Sequence, residues 1–201
     1  SNYVYGEYIN LLIVRSKDGG ATQGLPIDKS NAPGIGSITD SRTPTNALFI
    51  APFILDPNQS NTMLAGGASL WRANDVRTAV NLPNWAAIKA PFLTGVVTNL
   101  ISAIAVGPGA SNVIWVGHAN GALFKTSNGT SATPTWTQIS AVGLPSRYVS
   151  RIVFDPNSTQ VVYVSYTGFA SPNVWRTTDG GTTWSPLNGS GGNTLPAVPV
   201  R

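Results

Sequence analysis

Apolar residues occur along this chain in short runs that are interrupted by glycine, proline, asparagine and aspartate. Residues 161–167 (VVYVSYT) alternate in burial preference, which is the period of a strand with one covered face. Residues 150–156 (SRIVFDP) are apolar without alternation, as in a strand that is covered on both faces. No segment of helix length shows helical periodicity, so the pattern predicts an all-β protein.

Three segments of the chain align with one another: residues 53–88, 104–139 and 152–187. Their equivalent aromatic residues Trp71, Phe124 and Trp175 are 53 and 51 residues apart. Each segment divides into four short strands, with an Asp-Pro-Asn type of turn after the first and a Gly-rich turn after the third. Pro presets φ, and Asn and Gly accept the left-handed region. A β-rich repeat of about 50 residues predicts a β-propeller of four-stranded antiparallel blades.

The predicted blades are residues 47–90, 100–141 and 148–188, and residues 1–28 form a partial blade with second, third and fourth strands. Residues 195–201 resemble the start of a further first strand. We therefore expect residues 1–201 to be a single propeller domain or a propeller fragment, with about three whole blades and partial terminal blades. A fragment is preferred, followed by an oligomer whose strand edges pair between chains and by a closed ring of four blades.

The segment TTDGGTTW contains a motif in which Ser/Thr, Asp, Gly, Thr and Trp recur at fixed spacing. The matching residues are Thr177, Asp179, Gly181, Thr183 and Trp184. The segment SKDGGATQ matches through Ser16, Asp18, Gly20 and Thr22, with Gln23 in the place of Trp. Decayed copies begin at Thr126 and Ala73.

This motif resembles the Asp-box, or BNR repeat, of β-propeller proteins that include sialidase-like and xyloglucanase-like glycoside hydrolases and sortilin-type propellers. The resemblance implies that the motif residues are structural, because Asp-boxes in those proteins lie away from the active site. A carboxylate in such a turn can accept hydrogen bonds from its own backbone, and the Trp can pack between neighbouring blades.

Successive turns of an antiparallel meander fall at opposite ends of the blade, so a ligand site is expected at the end away from the Asp-box turns. That end carries the loops from second to third strand and the long connections between blades, above all residues 24–46. The candidate binding residues there are Tyr166, Phe169, His118 and Arg42.

Catalytic candidates are few, because the chain has only 8 acidic residues. Most of them occupy predicted turns, which leaves Asp28 and Asp40 in the long first connection as candidates for the carboxylate pair of a glycosidase. Their spacing does not require catalysis, and the alternative that they are solvated loop carboxylates is favoured.

Composition limits the kinds of partner that the chain is expected to bind. Charged residues are 10% of the chain, and the net charge of +4 is spread without a basic run, so no nucleic-acid partner is predicted. The single His and the absence of Cys predict no metal site, no cofactor is indicated, and no apolar run is long enough to span a membrane.

Two functions remain open. The first is a non-catalytic binding or scaffold module of a secreted or cell-surface bacterial protein that engages a glycan or a protein through the loops. The alternative is a fragment of an Asp-box glycoside hydrolase, xyloglucanase-like or sialidase-like, whose catalytic carboxylates lie mostly on other blades. Whether the chain is an enzyme stays undecided, with catalysis by this chain alone disfavoured. Further blades or other chains are candidate partners that complete the propeller.

Overall fold

The computed structural model describes residues 2–29, 34–79, 82–139, 143–189 and 194–200. No described residue lies in a helix, and the paired strands are antiparallel, which confirms the all-β prediction. The chain divides into two compact units, unit 1 (Ser1–Ile101) and unit 2 (Ser102–Arg201).

Unit 1 contains a three-stranded sheet, a four-stranded sheet and a two-stranded hairpin, each in chain order. The three-stranded sheet consists of β1 (Val4–Glu7), β2 (Ile13–Ser16) and β3 (Leu25–Pro26). The four-stranded sheet consists of β4 (Phe53–Asp56), β5 (Gln59–Gly66), β6 (Leu70–Ala73) and β7 (Ala86–Lys89), and the hairpin of β8 (Phe92–Thr94) and β9 (Val97–Asn99). The two larger sheets share one apolar core that includes Ile13, Met63 and Trp71.

Unit 2 is built from two four-stranded sheets, again in chain order. The first consists of β10 (Ile101–Gly107), whose first residue closes unit 1, β11 (Ala110–His118), β12 (Leu123–Thr126) and β13 (Thr137–Ile139). The second consists of β14 (Val149–Asp155), β15 (Ser158–Tyr166), β16 (Val174–Thr177) and β17 (Ser185–Pro186). In β15 the buried residues Val162, Val164 and Tyr166 alternate with partly exposed ones, as the strand period requires.

The β4–β5 and β14–β15 turns are built by aspartates. Asp56 ends β4 and accepts a hydrogen bond from the backbone N–H of Asn58 at 2.8 Å. Asp155 ends β14 and accepts one from Asn157 N–H at 2.9 Å. Each carboxylate therefore satisfies a backbone donor of its own turn.

The Gly-rich turns between third and fourth strands share one hydrogen-bond pattern. Asp179 accepts bonds from Thr177 Oγ1 at 2.8 Å, Thr183 N–H at 2.9 Å and Thr183 Oγ1 at 2.6 Å. In the N-terminal copy, Asp18 accepts the equivalent bonds from Ser16 Oγ at 2.6 Å and from Thr22 N–H and Oγ1 at 3.1 and 2.6 Å. The aspartate thus ties the end of the third strand to the beginning of the fourth.

Tryptophans near the fourth strands pack against a neighbouring sheet. The ring of Trp184 lies 6.1 Å from that of Trp115 on β11, in an edge-on arrangement. In unit 1, Trp85 is buried, and its indole N–H donates to Ile27 O at 2.7 Å. The aromatic residues therefore join adjacent sheets within each unit, as expected from their large apolar area.

Two segments differ from a simple reading of the sequence. The hairpin β8–β9 follows the fourth strand β7 and was not predicted from the apolar pattern; its residues Leu93, Val96 and Val97 are exposed. Residues 194–200 form no strand.

Candidate functional site

Asp28 is held inside unit 1 by its neighbours along the β3–β4 connection. Its side chain is fully buried and accepts hydrogen bonds from Ser41 Oγ and, in a fork, from Arg42 Nε at 2.9 Å and Nη2 at 3.0 Å. The favoured expectation of a solvated loop carboxylate is therefore wrong for Asp28. The Arg42 side chain stays 43% exposed, so it remains partly accessible while it holds Asp28.

Asp40 is also buried and organises the loop between β5 and β6. Its Oδ2 accepts hydrogen bonds from Ser69 N–H at 2.8 Å and from the indole N–H of Trp71 at 2.9 Å. Gly67 lies so close that a Cβ there would sit 2.7 Å from the same carboxylate oxygen. Asp40 is therefore not a solvated carboxylate either, and its oxygen is occupied by two donors.

Glu7 and Asn10 hold the segment that leads into β4. Glu7 accepts hydrogen bonds from Leu11 N–H at 2.8 Å and Ala51 N–H at 3.1 Å, and burial raises the pKa of its carboxyl group. Asn10 donates from its amide to the carbonyls of Ala47 and Leu48 at 3.0 and 3.1 Å. These two side chains fix the path of the connection over the β1–β2 loop.

The carboxylates of this chain therefore share one role. All eight lie in the described part of the chain and accept hydrogen bonds from a turn or an adjoining loop. Asp75, the remaining one, accepts from Asn84 N–H at 3.0 Å. A glycosidase instead needs two carboxyl groups that face the scissile bond from opposite sides. Among the described residues, no two carboxylates are free of such structural hydrogen bonds.

The exposed aromatic surface of unit 1 lies on the β1–β2 loop and on the segment that leads into β4. Tyr8 is 72% exposed, and Phe49 and Ile50 are 68% and 76% exposed. The backbone of Asn10 bonds to Phe49 O at 3.1 Å, so the two segments run side by side. This surface was not predicted from the sequence, because Phe49 and Ile50 belong to an apolar run, residues 47–55, and such runs are typical of buried strands.

In unit 2 the end of β15 and the loop that follows it contain one buried and one exposed candidate. Tyr166 is the last residue of β15 and is fully buried, so the expectation that it lies on a loop is wrong. It packs in the core because it continues the buried alternation of Val162 and Val164, and burial raises the pKa of its hydroxyl group. Phe169 is 76% exposed, and Arg147 supports its loop by donating to Ala170 O at 2.7 Å.

His118 is a strand residue and not a loop residue. It ends β11, is fully buried, and its ring meets that of Phe124 edge-on at 5.3 Å. The expectation of a polar loop histidine is therefore wrong, because the next turn begins only after His118. No ligand can reach the imidazole while this packing persists.

Two clefts lie beside the Gly-rich turns, at the end of the sheets away from the loops that carry Tyr8 and Phe169. The cleft of unit 1 has a volume of about 370 Å³ and is lined by Arg15, Ser16, Lys17, Thr22, Gln23, Leu25, Pro26 and Leu82. The cleft of unit 2 has about 220 Å³ and is lined mainly by hydroxyl groups and by Trp115, Lys125 and Gln160. Lys125 spans the latter, since its ammonium group donates to Gly180 O at 2.6 Å.

The described ranges contain no group of three or more His, Cys, Asp or Glu residues that could hold a metal ion. Nor does any of these residues belong to a helix long and apolar enough to cross a bilayer.

Comparison with known proteins gives one curated relative and several solved structures. No protein-family model matches the chain. A probable oligoxyloglucan-reducing end-specific xyloglucanase of Neosartorya fischeri is 28% identical over 178 residues, which are 84% of this chain and 19% of that protein. The chain therefore spans about a fifth of the curated relative that it matches.

Three of the similar solved structures are GH74 enzymes. The enzyme of Niastella koreensis matches with a TM-score of 0.64 and 20% identity, over 93% of this chain and 28% of its own. The xyloglucanase of Xanthomonas campestris gives 0.58 and 19%, over 92% and 28% of the two chains. An ancestral GH74 enzyme gives 0.62 and 18%, over 94% and 23%.

These likenesses define the class of fold. The neighbours are β-propellers, and the antiparallel four-stranded sheets of both units are of the blade type. The chain is thus an all-β protein with the β-propeller fold, and it is similar to segments of GH74 glycoside hydrolases.

Proposed function

We propose that this chain is a segment of an Asp-box glycoside hydrolase that acts on xyloglucan-type polysaccharides, and that the catalytic carboxylates lie mostly on blades outside it. The similarity to GH74 enzymes and to a probable xyloglucanase supports the substrate class. The share of those proteins that the chain spans, 19% to 28%, supports further blades as the partners that complete the propeller.

The observation that carries this proposal is the engagement of every carboxylate in a turn or loop. Asp28 and Asp40 were the candidates for catalysis, and both are buried acceptors of several hydrogen bonds. A nucleophile or general acid in this position would have to give up contacts that hold the chain in place. Their role in the enzyme is therefore to position the loops.

The Gly-rich turns are proposed to be Asp-boxes with a structural role. The hydroxyl of Ser16 and both donors of Thr22 hold the pKa of Asp18 well below its usual range, and the donors of Thr183 do the same for Asp179. Such carboxylates stay ionised and are poor proton donors, which suits a turn and not a general acid.

The exposed loops are proposed as the contribution of this chain to substrate binding. Tyr8 and Phe49 present aromatic surface on adjoining segments of unit 1, and Phe169 does so in unit 2. Aromatic rings bury the apolar faces of sugar rings efficiently. Arg42 adds a partly exposed guanidinium group beside the same connection in unit 1. We further propose that the enzyme is secreted or held at the cell surface, where a large polysaccharide is met.

The test compares this chain with the longer polypeptide that the corresponding gene encodes, assayed for release of reducing ends from xyloglucan and its oligosaccharides. We expect hydrolysis by the longer polypeptide and none by residues 1–201 alone. In the longer polypeptide, Asp28→Asn should lower thermal stability and leave kcat unchanged at temperatures where the protein is folded. Tyr8→Ala and Phe49→Ala should raise KM.

Two results would overturn the proposal. Hydrolysis by residues 1–201, abolished by Asp28→Asn or Asp40→Asn in a folded variant, would place the catalytic pair here. Absence of any glycosidase activity in the longer polypeptide would favour a binding module, and retained affinity for xyloglucan in affinity electrophoresis would then identify its ligand.

A further inference from the structure

The cleft of unit 2 lies between its two four-stranded sheets, at their Gly-rich turns. Lys125 belongs to β12 of the first sheet, and its ammonium group donates to the backbone oxygen of Gly180, in the β16–β17 turn of the second sheet, at 2.6 Å. The ammonium nitrogen lies 6.0 Å from the ring centroid of Trp115 on β11. Residues of both sheets therefore form the walls of the cleft, and Lys125 joins them.

Most polar side chains of this cleft have no protein partner. Four lining residues have a hydroxyl or amide side chain that makes no hydrogen bond to another described residue: Ser127, Thr137, Thr159 and Gln160. Lys125 makes one hydrogen bond within the described part of the chain, to Gly180 O, which leaves two of its three N–H groups for a ligand. The cleft therefore offers hydroxyl and amide groups that both donate and accept, and an ammonium group that only donates.

The cleft has a positive charge that no lining carboxylate neutralises. Lys125 is the one charged residue among the described residues that line it. The motif position that is an aspartate in the two clearest copies is Asn128 here, and its Oδ1 accepts a hydrogen bond from Thr135 N–H at 2.9 Å, so this turn is closed without a carboxylate. Asp179 precedes Gly180 on the facing turn, and donors of its own turn occupy its carboxylate. The cleft consequently favours an anionic ligand.

The cleft of unit 1 occupies the equivalent place but differs in its chemistry. Arg15 has the strand position there that Lys125 has in unit 2, and it also reaches the next sheet, where it donates to Val76 O at 2.7 Å. Two hydroxyl groups of that lining, however, both donate to the carboxylate of Asp18. The unit 1 cleft therefore combines its cations with a fixed anion and with occupied hydroxyl groups, and it serves as an internal comparison.

We propose that the cleft of unit 2 is a second ligand site, separate from the exposed aromatic loops, and that it binds one sugar unit that bears a carboxylate. Its volume of about 220 Å³ is below the roughly 300–1,000 Å³ of sites for larger organic ligands, which suits a single ring. The ligand carboxylate accepts charge-assisted hydrogen bonds from Lys125. The hydroxyl groups of the ring exchange hydrogen bonds with Thr137, Thr159 and Gln160, whose side chains can donate and accept.

The experiment titrates the full chain with glucuronate in a calorimeter, and with glucose and acetate at the same ionic strength. We expect saturable 1:1 binding of glucuronate that weakens when salt is added, because salt screens the charge of Lys125. Glucose lacks the carboxylate and acetate lacks the hydroxyl groups, so each should bind at least about tenfold more weakly. In nitrogen–hydrogen correlation spectra, glucuronate should shift the amide signals of Lys125 and Gly180.

Variants of the chain locate the site. Lys125→Gln removes the charge from the cleft, and we expect at least about tenfold weaker binding of glucuronate. Thr137→Val removes only an exposed hydroxyl group, so the fold should persist, and binding should become roughly three- to tenfold weaker. Lys17→Gln is the matched control, because it removes the same charge from an exposed residue of the unit 1 cleft. This variant should bind glucuronate as the unaltered chain does.

Three results would overturn the proposal. One is the absence of saturable glucuronate binding at millimolar concentration. Another is binding that Lys125→Gln and Thr137→Val both leave unchanged, since the ligand would then lie elsewhere on the chain. The third is equal affinity for glucuronate and for acetate or glucose, because the cleft would then recognise an anion or a sugar alone.

Discussion

Substituting Gly181 by alanine isolates the packing between the last Gly-rich turn and its neighbouring sheet. Gly181 has φ of 93°, and a Cβ there would lie 2.8 Å from Cη2 of Trp115 and 3.3 Å from Cδ1 of Ile139. Its neighbour Gly180 has φ of 67°, but the Cβ there would meet only the end of the Gln160 side chain, which can move aside. Gly180→Ala is therefore a control within the same turn.

The magnitudes follow from two separate costs. A non-glycine residue in the left-handed region costs about 1–2 kcal/mol, and both variants share this cost. Forcing a methyl group against a packed indole adds about 1–3 kcal/mol for Gly181→Ala alone. We therefore expect the free energy of unfolding to fall by about 1–2 kcal/mol for Gly180→Ala and by about 2–5 kcal/mol for Gly181→Ala.

The assay is urea unfolding followed by tryptophan fluorescence, with hydrogen exchange at β11 and β16 to confirm that the loss is felt in unit 2. A second control, Gly20→Ala, has the equivalent φ of 89° with no heavy atom within 4 Å of the added Cβ. If Gly181→Ala costs no more than the two controls, the contact between turn and indole does not contribute to stability and the reasoning is refuted.

Three further predictions concern charged groups. Hydrogen bonds lower the pKa of Asp179, so the stability that its carboxylate contributes is present above the ordinary carboxyl pKa and is lost as the pH falls below about 4. Asp179→Asn should therefore flatten the decline of the urea midpoint between pH 5 and pH 2, and an unchanged slope would contradict this. Burial lowers the pKa of Lys89 to about 8, so between pH 8 and the usual pKa of 10.5 the unfolded chain binds more protons than the folded chain, and stability should rise with pH. Lys89→Met should remove this rise in thermal scans, and a rise that persists in the variant would show that another group is responsible. Arg42→Ala should destabilise unit 1 by about 1–3 kcal/mol, because the buried carboxylate of Asp28 loses its forked hydrogen-bond partner. The double variant with Asp28→Asn should lose less unfolding free energy than the two single variants together, and strictly additive losses would exclude a coupling between the two side chains.

Much of the fold could be predicted, because its turns and strands depend on residues that are close to one another in the chain. The turns at Asp155–Asn157 and Thr177–Thr183 are closed by hydrogen bonds between residues two to four positions apart. The three strands of residues 1–28 follow from the same spacing of apolar runs and turns. Such features depend on neighbours in the chain and therefore recur wherever the pattern recurs.

The candidate site was predicted less well. His118 and Tyr166 were predicted to lie on loops because they stand beside Gly-rich segments, yet β11 and β15 extend to include them, and both side chains are buried. Phe49 and Ile50 were not predicted to form a surface because they belong to an apolar run, yet they are exposed. Burial at the end of a strand depends on what the neighbouring sheets cover, and periodicity carries no information about that.

The sequence by itself determined the strand order, the repeat and the turns that acidic residues close, since each results from contacts between residues close in the chain. Only the tertiary structure decided what Asp28 and Asp40 do. Their partners Arg42, Ser69 and Trp71 lie 14, 29 and 31 residues away, and no spacing rule connects them. A carboxylate's role depends on which donors the fold brings to it, because an ionised group removed from water must be hydrogen-bonded.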